Sequence, residues 1–211
     1  MMITLPAPDF SLAATLECGQ VFHWRRHGAG FLGMIGDTPC HAEQRGGKLL
    51  VPHGTEEIAR RYFALDHPLA EICATFPDDP AMNVARDFSA GMRIVRQPAW
   101  ECLASFITSA MKQVAHIAQI SHTLRERYGE PREWAGGTLF TYPTPERIAA
   151  LDESDLRACA LGFRAKNLRN AARMVASREV DLEAIAALDD DAARAELCRL
   201  PGVGEHPLHV R

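Results

Sequence analysis

No two of the six cysteines, Cys18, Cys40, Cys73, Cys102, Cys159 and Cys198, form a CxxC pair. A zinc ribbon or a cysteine-ligated cluster therefore has no framework. Scattered single thiols point instead to reduced, buried side chains in a cytosolic protein. A basic surplus is lacking as well: the formal net charge is −4. A globally basic nucleic-acid binder is excluded, and any contact with phosphates must come from a local patch. The start, MMITLPAPDFSL, has no basic region and no long apolar run, so no signal peptide is read. No segment carries the roughly 18 apolar residues that a membrane span needs. The expectation is a cytoplasmic monomer without a cofactor, a metal or a membrane partner. There is no internal repeat.

What is present describes an ordinary globular chain. Of 211 residues, 47% are hydrophobic and 24% charged, enough apolar material for a substantial core and too little charge for wholesale disorder. The first third reads as sheet. Val21–His27 alternates around Phe22 and Trp24, and Phe31–Ile35, Thr38–Gln44 and Leu49–Val51 follow. Tight turns at His27-Gly28-Ala29-Gly30 and Arg45-Gly46-Gly47-Lys48 separate them. After Pro52 the period becomes helical. Thr55 is a candidate N-cap, with Ile58, Tyr62 and Phe63 as an apolar face. Further helices are predicted near Pro80–Phe88, Ala99–Ala110, Val114–Tyr128, Pro145–Ala150, Glu153–Cys159, Arg164–Ser177, Leu182–Leu188 and Asp190–Arg199. Arg127–Tyr142, rich in Gly, Pro and aromatics, reads as a surface loop. The fold class is α+β, with an antiparallel sheet domain over 1–80 and a helical domain over 81–211.

Four stretches carry possible chemistry. Leu200-Pro201-Gly202-Val203-Gly204 closes an amphipathic helix. Its glycines allow a tight turn that offers the N–H groups of Gly202, Val203 and Gly204 to a phosphate, as in a helix–hairpin–helix. A plain helix C-cap explains it equally. Phe163, Arg164, Lys166, Arg169, Arg173 and Arg178 form a basic stripe beside an aromatic, with no acidic residue before Glu179. Phosphate neutralisation and base wedging are one reading; a solvated helix face is the other. Gly19-Gln20-Val21-Phe22-His23-Trp24 is either a turn into a strand or a place where Gly19 lets a ligand approach the backbone. Trp100–Ile107 reads as helix core, with Lys112 and Gln113 after it as a polar break that can face DNA. His23 and His27 have no carboxylate partner nearby and do not make a metal site.

Together these stretches resemble the 8-oxoguanine DNA glycosylase family. Gly19–Trp24 is similar to its N-terminal signature. Tyr62-Phe63-Ala64-Leu65-Asp66 resembles the segment after its sheet, and Gly91–Gln97 followed by Phe106-Ile107 resembles the entry to its helical domain. Leu161–Ala165 and Leu200–Gly204 match in order and spacing. The resemblance implies a base-excision DNA glycosylase/AP lyase acting on double-stranded DNA that contains a damaged base, and hence association with the nucleoid. It implies base recognition by the carbonyl of Gly19, a wedge at Phe163, an orphan-base contact at Arg164, and a gap filler at Met111-Lys112-Gln113, where the family's asparagine is missing.

In that family a lysine two residues after the hairpin's last glycine attacks the sugar C1′. The base leaves, an imine forms, and β-elimination nicks the strand. A later aspartate stabilises the cation-like sugar. Here His206 stands at the lysine position and no counterpart of the aspartate follows. An imidazole does not form such an imine. This pattern suggests a truncated or frame-shifted gene, or a fragmentary record, and leaves a second reading open: a catalytically inactive remnant acting at most as a DNA-binding module. Lys112 and Lys166 are the next candidate amines. Without the hairpin's second helix, Leu197 and Leu200 are expected to lie partly exposed.

Overall fold

A computed structural model describes residues 1–110 and 112–204. By their internal contacts they divide into two compact units. The first holds Met1–Gln97 with Arg132–Leu139; the second holds Pro98–Pro131 and the residues from Phe140 onward. The first unit extends past residue 80. Among the described residues, no helix is long and apolar enough to cross a membrane.

The first unit opens with β1 (Met2–Pro6) and α1 (Leu12–Glu17), followed by β2 (Arg25–His27), β3 (Gly30–Ile35), β4 (Thr38–Arg45) and β5 (Lys48–Pro52). The five strands form one sheet in the order β1-β5-β4-β3-β2. All its pairings are antiparallel. Both predicted turns are present, since His27 pairs with Gly30 and Arg45 with Lys48. Leu5, Phe31, Cys40, Ala42, Leu49 and Val51 form the buried face. Across it lies α2 (Glu56–Tyr62), which contributes Ala59 and Tyr62, with Phe63 just beyond. Then come α3 (Leu69–Ala74) and α4 (Pro80–Phe88). Asp79 caps α4 by accepting from the N–H groups of Ala81 and Met82, both at 3.0 Å, and Pro80 supplies a preset φ where no donor is needed.

Several expectations are corrected here. Val21–His27 is not one strand: only Arg25–His27 pairs, because Gly19 takes φ +90° and the Gln20 side chain is drawn to a different segment. β1 and α1 lie outside the elements expected from the sequence; Ser11 caps α1 through the N–H of Ala14 at 3.3 Å. Thr55 sits at the N-cap of α2 without a side-chain cap bond; its hydroxyl donates to the Pro52 carbonyl at 2.7 Å instead. Ile58 turns outward at 37% exposure, while Tyr62 and Phe63 are buried as expected.

The second unit begins with α5 (Ala99–Ser109) and α6 (Val114–Tyr128). The predicted surface loop over Arg127–Tyr142 is instead the end of α6 and a hairpin of β6 (Pro131–Trp134) and β7 (Gly137–Phe140). Its Trp134 ring stacks on His41, centroids 5.8 Å apart, which is why the tip groups with the first unit. Then follow α7 (Pro145–Ala150), α8 (Glu153–Arg157), α9 (Arg164–Ala176), α10 (Leu182–Ile185) and α11 (Asp190–Cys198). Thr144, Asp181 and Asp189 cap α7, α10 and α11 through side-chain oxygens, and Asp152 with Asp155 forms a capping box on α8. Leu103, Ile107, Ile120, Leu124, Ile148, Leu156, Leu161 and Leu168 build the core. Leu200 belongs to it at 1% exposure, contrary to expectation, because its side chain is covered within this core; Leu197 is partly buried against it.

Candidate nucleic-acid interface

In the second unit, α11 delivers the chain into the turn Pro201–Gly204. The Val203 N–H donates to the Leu200 carbonyl at 3.0 Å. That donor is spent inside the turn, so of the three amides expected to meet a phosphate, Val203 is occupied. Val203 packs its side chain against the core, holding the turn in place. Gly202 takes φ +88°, and a Cβ there would lie 3.1 Å from Asn167 Cβ and 3.2 Å from Ile107 Cγ2. The glycine is thus required twice, by backbone angle and by close approach to α9. Gly204 faces open space.

The basic stripe resolves into unlike parts. Phe163 sits at the N-cap of α9 with 61% exposure. A ring left that far in water at a helix start contributes little to the core and is available to a partner. Arg164 is the opposite: 4% exposed, so it is not a solvated residue. Its Nη2 donates to the Ala110 carbonyl, its Nη1 to the Leu161 carbonyl at 3.4 Å, and its Cζ lies 4.4 Å from the Phe163 ring centroid. Lys166 and Arg173 are exposed. Arg169 reaches Asp152 at 3.5 Å. Asn167, which the sequence did not single out, is the residue on which Gly202 rests; nothing in its spacing announces that role.

Between α5 and α6, Lys112 donates its backbone N–H to Ser109 at 3.0 Å, and Gln113 is exposed at the N-cap of α6, its carbonyl accepting from His116 at 2.9 Å. Met111 and His206 lie outside the described residues.

The first unit holds the Gly19 stretch. Gly19 has φ +90°, which a residue with a Cβ adopts only at a cost. Gln20 next to it makes the structural attachment that the sequence left unread. Its Nε2 donates to the carbonyls of Thr15 and Arg93, both at 2.8 Å, and its Oε1 accepts from the Val95 N–H at 2.9 Å. Gln97 Nε2 donates back to the Gln20 carbonyl at 3.1 Å. Arg93 is buried, with Nη1 donating to the carbonyls of Ala64 and His67 at 2.8 Å each. Burial lowers its guanidinium pKa from the ordinary value, and Asp9 and Asp66 oppose that shift. Four segments, 15–20, 64–67, 93–95 and 97, are thereby locked around the glycine that the resemblance assigns to base reading. Trp24 donates from Nε1 to the Tyr62 hydroxyl at 3.0 Å. His23 is buried with Nε2 2.8 Å from the Met34 carbonyl, a core histidine.

The match to known families follows the same division. The family model described as 8-oxoguanine DNA glycosylase, N-terminal domain, matches residues 2–103. The one described as HhH-GPD superfamily base excision DNA repair protein matches residues 104–209. The chain belongs to the 8-oxoguanine DNA glycosylase family.

Family members match along nearly all of it. A probable N-glycosylase/DNA lyase of Methanothermobacter thermautotrophicus is 29% identical over 95% of this chain and 74% of its own length. The N-glycosylase/DNA lyase OGG1 of Arabidopsis thaliana is 25% identical over 96% of this chain, which spans 60% of that protein. The solved structure of the Clostridium acetobutylicum 8-oxoguanine glycosylase/lyase, in complex with double-stranded DNA containing cytosine opposite 8-oxoG, superimposes with a TM-score of 0.88. It is 27% identical, covering 96% of this chain and 74% of that one. The α+β architecture expected from the sequence is that of these family members.

Proposed function

We propose that this protein is a base-excision-repair DNA glycosylase/AP lyase that acts on oxidised purine, 8-oxoguanine, in double-stranded DNA. Of the two readings left open by the sequence, the comparisons favour this one over the inactive remnant. The observation that carries it is local to the second unit. The Gly202 turn is seated on α9 at Asn167, one helical turn from the exposed ring of Phe163. A turn able to meet a phosphate and an apolar wedge are thus fixed on one rigid helix, the arrangement a protein needs to grip a duplex and open its stack. Gly204 is open to a backbone approach, and Lys112, Gln113 and Lys166 supply polar and cationic groups.

Gly19 is the base-recognition residue in this reading. Oxidised guanine carries a donor at N7 where guanine has an acceptor, so a backbone carbonyl attracts one and repels the other. The lock around Gln20 keeps such a carbonyl from yielding. In the family the amine that attacks C1′ is the hairpin lysine; its position in this sequence holds His206, which lies outside the described residues. The structural support therefore concerns gripping DNA and reading the base. With DNA as substrate, the reading is of a cytoplasmic protein that lies on the nucleoid when bound.

The test is incubation with a duplex carrying 8-oxoguanine opposite cytosine, with base release, strand nicking and borohydride trapping read separately. Base release together with tighter, salt-sensitive binding than to the undamaged duplex is expected. Equal binding to both duplexes with no base release overturns the proposal. A trapped adduct identifies the amine by peptide mapping, with Lys112 and Lys166 as candidates.

A further inference from the structure

We propose that α4 and the groove beside it form a docking surface for a basic amphipathic helix of a partner protein. The proposal goes beyond the repair reading and uses none of its residues. Apolar residues recur along α4 at helical spacing: Ala81, Val84, Ala85 and Phe88. Such a stripe ordinarily turns to the core. Here it turns to water. Val84 is 70% exposed and Phe88 93%, and no residue of the helix is buried. Met82, Asn83 and Arg86, on the opposite side, are the half-buried ones, and Arg86 Nη2 donates to Asn83 Oδ1 at 2.8 Å. The Asp79 cap starts the helix firmly, so the outward stripe belongs to a formed element.

Against α4 runs a groove of about 860 Å³, whose walls include Ile72 and Phe76, Met92 and Ile94, and Arg86 and Asp87 of α4 itself. Ile94 is 83% exposed and Phe76 41%. Exposed apolar surface gathered in one place marks an interaction site, and an open aromatic ring such as Phe88 is the kind of anchor that carries binding once a partner covers it. The charge says what kind of partner. Residues 66–88 hold five exposed carboxylates, Asp66, Glu71, Asp78, Asp79 and Asp87, against Arg86 alone, which equals the −4 of the whole chain. Among the described residues Asp66 pairs with Arg96 at 2.7 Å, while Asp78 and Asp79 accept from neutral N–H groups. An acidic rim repels phosphates, which excludes a nucleic acid or an anionic lipid surface. A second copy in two-fold pairing would set these carboxylates against themselves. A helix with an apolar stripe flanked by Lys or Arg fits both the stripe and the rim.

The probe is a synthetic peptide of about 18 residues, long enough to form a helix on contact, with Leu at helical spacing and Lys elsewhere. Its control keeps the Leu pattern and carries Glu in place of Lys. Fluorescence anisotropy of each labelled peptide is read against the 211-residue chain at low and at raised salt. Saturable binding of the Lys peptide is expected, at least about tenfold tighter than that of the Glu peptide and weakened by salt. Phe88→Ser and Val84→Ser should each weaken it several-fold without lowering Tm, because both side chains stand in water. Asp87→Lys should weaken the Lys peptide and strengthen the Glu peptide; if Phe88→Ser lowers Tm, this charge reversal decides. No binding, equal binding of the two peptides, or binding that these variants leave unchanged overturns the proposal. Sedimentation equilibrium of the unaltered protein is the second arm, with a monomer expected. A dimer that Phe88→Ser dissociates assigns the stripe to a second copy and overturns the proposal as well.

Discussion

The side-chain amide of Gln20 donates to the backbone carbonyl of Arg93 at 2.8 Å, across 73 positions of sequence, and its oxygen accepts from Val95. One side chain thereby satisfies backbone groups on both sides of Ile94. Gln20→Ala leaves them with no protein partner, and a stability loss of about 2–3 kcal/mol is expected. Gln20→Glu retains the shape and the acceptor but loses the donors, so it should also destabilise. Urea denaturation followed by Trp fluorescence checks both. A loss under about 0.5 kcal/mol would show that water replaces these bonds without cost.

Gly202→Ala combines a positive φ with contacts at 3.1–3.2 Å to Asn167 and Ile107. The expected penalty is about 1–3 kcal/mol, because the turn must shift off α9. Duplex binding should weaken by more than the stability loss accounts for. Asn167→Ala in the same background removes the Nδ2 contact at 3.1 Å but keeps the one to Cβ, so it should recover only part of the stability. No recovery would mean that the φ strain and the remaining Cβ contact dominate.

Glu101 and Arg125 form an ion pair inside the second unit, with side chains 8% and 4% exposed. Arg125 also donates to the Phe140 carbonyl at 3.2 Å and lies 5.4 Å from the Tyr142 ring. Removing one partner strands a buried charge, so Glu101→Ala is expected to cost about 3–5 kcal/mol. Thermal unfolding of Glu101→Ala against Glu101→Gln separates the lost charge from the lost hydrogen bond. Similar midpoints for both variants would identify the charge as the main contributor.

Cys40 has no exposed surface, and burial pushes its thiol from 9.0 up to about 12. Between those values the unfolded chain loses a proton that the folded chain keeps, so the unfolded state binds fewer protons and stability falls as pH rises. The decline is expected to begin near pH 9, with a slope of at most about 1.4 kcal/mol per pH unit from this group. Cys40→Ser, or Cys40→Ala if the hydroxyl is not tolerated, should flatten that part of the profile. At pH 8, iodoacetamide should modify the exposed Cys18 well before Cys40. Equal labelling rates would contradict the burial.

What could be read from the chain alone was whatever depends on local physics. The hairpins at Gly28 and Gly46, the helices beginning near Pro80 and Pro145, and the turn at Gly202 are all written in neighbouring residues, because helix starts and tight turns act over three or four positions. The likeness of five ordered stretches to a glycosylase family was legible for the same reason. Only the tertiary structure decided how the long side chains are used. Arg164 reads as one charge of a solvated stripe, yet it is buried beneath Phe163 and serves Ala110, 54 residues away. Gln20 reads as part of a turn into a strand, yet its amide is spent on Arg93 and Val95, and residues 18–24 lie outside the sheet. Arg127–Tyr142 reads as loop, yet Trp134 finds His41 and the stretch becomes a hairpin. In each case a polar or aromatic group far along the chain supplies the deciding contact. Such partners leave no periodic trace in the sequence, since a hydrogen bond or ring contact constrains two positions and nothing between them.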